Sequence, residues 1–130
     1  MKTNPSFRLC YESKEQGFIL PISVKKGIYR IDLREVIYFE KKLRKIVVVE
    51  EKRKRSFYGK FNELEKFLND EYCRCHNSYI VNMEKVEEME RYTLLMCNGE
   101  PLPISQTRYL EVKKQFLDYL RYEEGLLLLK

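Results

Sequence analysis

The chain has 130 residues, enough for one ordinary domain with a single core. Hydrophobic residues make up 44% of it, with ten Tyr and seven Phe, which excludes an intrinsically disordered chain, and no stretch has the length of apolar sequence that a membrane helix needs. The net charge of +5 and pI near 9.0 favour a polyanionic partner, and the N-terminal stretch lacks the apolar run and cleavage site of a signal peptide, so a cytoplasmic protein without membrane insertion is expected.

Residues 1–17 carry weak signals, with a short strand expected at residues 7–12, and are read as an extension or linker remnant. From Phe18 the pattern becomes strand-like: Phe18-Ile19-Leu20 leads to Ile22 and Val24, Lys26-Gly27 marks a turn, and Ile28-Tyr29-Arg30-Ile31 returns, which predicts a hairpin. Val36-Ile37-Tyr38-Phe39 and Ile46-Val47-Val48-Val49 are β-branched or aromatic runs of strand length. Between them Lys41-Lys42-Leu43-Arg44-Lys45 reads as a basic loop, and Lys52-Arg53-Lys54-Arg55 as the next turn and strand start. Apolar residues at 61, 64, 67 and 68 predict a short helix over 61–68.

Residues 72–81 read as an extended segment with a loop, followed by strands at 86–90 and 92–97. Asn98-Gly99 supplies a hairpin-turn dipeptide in which both residues tolerate positive φ. Leu102-Pro103-Ile104 reads as a short edge strand, because Pro101 and Pro103 cannot donate to a ladder. Ser105 is the expected N-cap of an amphipathic helix carrying Tyr109, Val112, Phe116 and Leu120 on its apolar stripe. The domain is thus drawn at residues 18–122, with a tail at 123–130 in which Leu126 to Leu129 form either a packed end or an apolar patch. No internal repeat is apparent.

Charge is unevenly spread. Residues 24–60 hold thirteen Lys or Arg against five Asp or Glu, a net +8, whereas residues 61–91 hold four against eight, a net −4. This polarity is the footprint of a nucleic-acid reader, with a generic solvated surface as the competing account.

Enzyme motifs are missing: there is no glycine-rich phosphate loop, no nucleophile elbow and a single histidine, so no catalysis is expected. Four cysteines (Cys10, Cys73, Cys75, Cys97) suffice for two bridges, but in a reducing compartment they are expected as thiols packed like small hydrophobes. Cys73-x-Cys75-His76, with Cys97 or Cys10 as a distant fourth ligand, carries the donors of tetrahedral zinc. Residues two apart on a strand also share a packing face, and no paired C-x-x-C knuckle occurs, so neither metal nor cofactor is expected. Cys75 beside Arg74 has the setting of a thiol of lowered pKa and a redox sensor, but an inert buried thiol is the expected account.

Arg44, Asn77, Gln106 and Arg108 carry the forked donors and acceptors that pair with base edges, and each falls at an expected loop or helix start. The stretch Arg74-Cys75-His76-Asn77-Ser78-Tyr79-Ile80-Val81-Asn82 resembles the signature of the LytTR family of bacterial DNA-binding domains: His, a polar residue, Ser, an aromatic, an aliphatic, Val, Asn. In the family's order, residues 31–40 resemble its early strand, residues 57–64 its approach to the short helix, and Asn98-Gly99 with Pro103-Ile104-Ser105 its closing hairpin and helix cap. The likeness spans about residues 20 to 120.

The resemblance implies a mainly β fold, an elongated arrangement of small antiparallel sheets with one short helix and a C-terminal amphipathic helix. It also implies a transcriptional regulator whose loops enter successive major grooves of direct-repeat promoter sites in double-stranded DNA, which leaves a homodimer on the DNA open. Carried over by residue, it assigns base reading to Arg44 and Asn77. The third contact falls at Gln106, where many members have Arg, or at Arg108. Phosphate contacts are expected from Lys41, Lys42 and Lys45, from Lys52 to Arg55, and from His76 and Ser78. Family members often follow a phosphoacceptor receiver domain; none is encoded here, which fits a stand-alone regulator or a piece of a longer one. The alternative is a protein-interaction module that has lost DNA reading and pairs through a strand edge or the Leu126 to Leu129 tail.

Overall fold

A computed structural model of the chain describes residues 18–123 and 125. The strand expected at residues 7–12, Cys10 and the four tail leucines lie outside the described residues. The chain divides into two compact units, Met1–Asn69 and Asp70–Lys130.

In the first unit, β1 (Ile19–Val24) and β2 (Gly27–Asp32) form the expected hairpin, with Val24 opposite Gly27 and Lys25-Lys26 as its turn. β3 (Val36–Lys42), β4 (Lys45–Glu50) and β5 (Lys54–Tyr58) follow as an antiparallel meander. Their β-branched and aromatic residues suit a pleated, buried surface. Phe39, Ile46 and Val48 are fully buried there, as are Leu20, Ile22 and Ile31 on the hairpin. Each such side chain contributes roughly 1.5–3 kcal/mol on leaving water.

The helix expected over 61–68 is shorter. α1 spans Phe61–Glu65 and buries Phe61 and Leu64. Beyond it the chain tightens: the N–H groups of Lys66, Phe67 and Leu68 donate to the carbonyls three residues back, at 3.3, 3.0 and 3.2 Å, so the apolar spacing persists without a regular α-helix.

In the second unit, β6 (Tyr72–His76) and β7 (Tyr79–Asn82) pair antiparallel with a register shift between Arg74 and His76. β8 (Val86–Glu90), β9 (Thr93–Met96) and β10 (Pro101–Pro103) form a three-stranded sheet in the order β10-β9-β8, with the prolines on an edge as expected. The Asn98-Gly99 turn departs from the expected two-residue form. Only Gly99 has positive φ, at 88°, while the Asn98 carboxamide accepts from the N–H of Glu100 at 3.2 Å and stretches the loop over residues 97–100.

A 3-10 turn at Gln106–Arg108 leads into α2 (Tyr109–Glu123). Cys73, Val81, Met83, Leu94, Val112 and Phe116 converge on a gap too small for water, which shows the apolar stripe of α2 serving the core. Ser105 holds the N-cap position, but its hydroxyl does not cap. It is buried with no hydrogen-bond partner, and the residue is fixed instead through its N–H, which donates to the Cys75 carbonyl at 2.9 Å.

One local device occurs in both units. Asp32 ends β2 and its carboxylate accepts from the N–H of Arg34 at 3.0 Å; Asn82 ends β7 and its amide oxygen accepts from the N–H of Glu84 at 3.1 Å. Each opens a single 3-10 turn that buries the next apolar residue, Leu33 or Met83, and closes at a valine starting the following strand. The Arg34 guanidinium, hydrogen-bonded to Asp32 at 2.9 and 2.7 Å, holds the Asp32 carboxyl below the ordinary range.

Candidate nucleic-acid interface

The basic segment 41–45 is not a loop. Lys41 and Lys42 are the last residues of β3, Lys45 is the first of β4, and the register pairs Lys42 with Lys45, leaving Leu43-Arg44 as a two-residue turn. Strand pairing overrides the low strand propensity of lysine here. All five side chains are exposed, Leu43 at 95%, and Leu43 adopts the left-handed region at φ 57°. The carbonyl of Arg44 accepts from the N–H of Gly59 at 3.2 Å, which anchors the turn while its side chain projects outward. Two cations directly opposite one another are unfavourable in a sheet unless an anion lies nearby.

Lys45 stands over the exposed ring of Tyr58, its cross-strand partner, with Nζ 5.3 Å from the centroid. Of the second basic run, Lys52, Arg53 and Lys54 are exposed, but Arg55 is not available for phosphate. Its guanidinium makes a two-pronged ion pair with nearly buried Glu50 at 2.9 and 3.0 Å and also donates to the Arg30 carbonyl at 3.1 Å. The expected contact at Arg55 is thus replaced by an internal one.

In the second unit, His76 ends β6, Tyr79 starts β7, and Asn77-Ser78 is the turn between them. The Ser78 N–H donates to Nδ1 of His76 at 3.0 Å, and the His76 ring packs against Tyr79 with centroids 5.7 Å apart. With Nδ1 accepting, Nε2 is the ring nitrogen left to donate. Asn77 is exposed, Ser78 half-buried.

Two arginines grip Asn77: Arg74 donates to its carbonyl at 3.0 Å and Arg108 to its side-chain Oδ1 at 3.2 Å. Asn77 and Arg108, two of the expected contact residues, are therefore joined, whereas Gln106 stays exposed on the 3-10 turn. The grip by Arg74 was invisible in the sequence.

The cysteine readings separate clearly. Burial pushes the Cys73 and Cys75 thiols up to about 12, opposite to the lowered value a redox sensor requires, and the Arg74 charge does not reverse it. The Cys73 thiol donates to Gln115 Oε1 at 2.8 Å, and among the described residues no group of three or more His, Cys, Asp or Glu is placed to hold a metal ion. Nor is any described helix long and apolar enough to cross a membrane.

A sheet-rich scaffold that raises amide and cationic side chains on hairpin turns is the architecture of one class. The chain belongs to the LytTr DNA-binding domain family, whose model matches residues 26–117. That family consists of DNA-binding regulatory domains rather than enzymes, and membership implies DNA binding in transcription regulation. Its relatives include Accessory gene regulator protein A of Staphylococcus aureus, 30% identical over 87 residues, covering 64% of this chain and 36% of that protein. The Sensory transduction protein LytT of Bacillus subtilis is 29% identical over 101 residues, covering 73% of this chain and 42% of that protein. The chain thus spans well under half the length of these relatives. Among solved structures, the LytTr DNA-binding domain of a methyl-accepting/DNA response regulator from Bacillus cereus matches with a TM-score of 0.63 at 28% identity, over 76% of this chain and 95% of that one.

Proposed function

We propose that residues 18–122 form a sequence-specific reader of double-stranded promoter DNA in the bacterial cytoplasm, flanked by an extension at 1–17 and a tail at 123–130. Its turns enter successive major grooves of direct-repeat sites, where two copies can sit side by side. The observation that carries this reading is that Arg44 and Asn77 each occupy the exposed apex of a tight hairpin turn, with the Asn77 amide oriented by Arg108. Arg44 has the fork that matches guanine, and Asn77 the paired acceptor and donor that match adenine. With Arg108 committed to Asn77, Gln106 is the third reader. Lys41, Lys42, Lys45, His76 and Ser78 supply phosphate contacts.

Mobility shifts with a selected promoter duplex and its scrambled counterpart test the site. Arg44→Ala and Asn77→Ala should each cost about 1–3 kcal/mol of specific binding. Arg108→Ala should relax preference at the same base pair as Asn77→Ala, because it frees the amide to rotate. An Asn77→Ala protein that keeps full sequence preference refutes the assignment.

The interaction-module reading finds less support at the strand edges. β8 presents exposed Glu87, Glu88 and Glu90 and β10 carries two prolines, both devices that deter edge-to-edge pairing.

A further inference from the structure

A cleft of about 630 Å³ opens in the first unit, where the β1–β2 hairpin and the β4–β5 strand pair supply Lys25, Lys26, Tyr29, Lys45, Ser56 and Tyr58. Among the described residues, no acidic side chain lines it. Arg55, whose guanidinium lies 5.1 Å from the Tyr29 ring, is neutralised by Glu50, so three lysines set the sign of the cleft. Lysine ammonium groups together with serine and tyrosine hydroxyls are the donors that hold DNA phosphates, and flat tyrosine faces suit the sugars between them. Tyr58 is 64% exposed at the mouth. The cleft is open to solvent, as a continuous polymer needs, and it shares Lys45 with the hairpin that carries Arg44 at its apex.

We propose that this cleft seats the sugar–phosphate backbone beside the groove that the Leu43-Arg44 turn enters, with Lys25 and Lys26 each neutralising a phosphate; this rests on the DNA-binding reading above. Neither lysine belongs to the base-reading set. Their role is affinity without sequence preference.

The test is fluorescence anisotropy on the full chain with promoter and scrambled duplexes across a salt series, comparing wild type, Lys25→Gln/Lys26→Gln, and a charge-matched control, Lys66→Gln/Lys113→Gln. Two lost phosphate contacts should weaken both duplexes by about tenfold and make the salt slope shallower by about two, with Asn77-dependent preference intact and an unchanged melting temperature. The control should bind like wild type. Equal losses in both double variants, or none in either, overturn the inference while leaving the Asn77 site standing. Lysine-dependent binding of ATP at micromolar concentration without DNA overturns it in favour of a small-anion site. A wild-type chain that binds no duplex overturns the underlying reading as well.

Discussion

The Asn77 side chain gains its directionality from Arg108, 31 residues downstream, while Arg74 on the preceding strand holds its backbone carbonyl. On the proposed reading, a turn amide that rotated freely would lose conformational entropy on pairing with a base, whereas a braced one has lost it in folding. The cysteines show the converse case, chemistry that the fold suppresses. Native protein treated with iodoacetamide near pH 8 should be labelled at exposed Cys97 and not at Cys73 or Cys75, with the latter two reacting once urea unfolds the chain; peptide mapping by mass spectrometry decides. Because both thiols are raised to about 12 from an ordinary value near 9.0, the unfolded chain loses its protons first as pH rises, so their contribution to stability is complete below about pH 9 and drains away between 9 and 12. At this scale the sequence was enough to place Arg44 and Asn77 at exposed connections between strands, where the structure has them. It did not disclose the Arg108 brace, because which atoms meet across thirty residues is decided by packing.

Among elements, the β4–β5 ribbon is clasped by the Arg55–Glu50 pair, in which both side chains are largely withdrawn from water. Arg55→Ala would strand the Glu50 carboxylate and should cost about 3 kcal/mol in urea unfolding, whereas loss of exposed Lys52 should leave the midpoint within error. Strand identities were readable because β-branched runs such as Ile46 to Val49 alternate with charge. Strand ends were not: Lys41, Lys42 and Lys45 look like loop residues in isolation and are drawn into the ladder by their neighbours. Ser105 likewise has the right residue type for a cap, yet the 3-10 turn after it and its own burial leave the hydroxyl unused. The family signature supplied what periodicity lacked, namely that the strands gather into small antiparallel sheets.

For the molecule as a whole, segregated charge governs how it meets a polyanion. A reader with several phosphate-bound lysines should lose affinity linearly on a log–log plot against salt, at about 0.9 per contact, and a titration of the wild-type chain from 50 to 200 mM salt should show a steep slope for promoter and scrambled duplexes alike. The uneven distribution between residues 24–60 and 61–91, and the fall of its basic runs between strands, were plain in the sequence; the pairing of Lys42 with Lys45 across a two-residue turn was not.

The Lys42–Lys45 register carries a thermodynamic corollary for the protein on its own. Like charges paired across a ladder repel, and dissolved counterions soften that repulsion. Electrolyte therefore acts with opposite signs on the two halves of the binding equilibrium: it calms the unliganded hairpin and loosens the complex. On the proposed reading, a phosphate of the duplex seated at this turn would offset that repulsion.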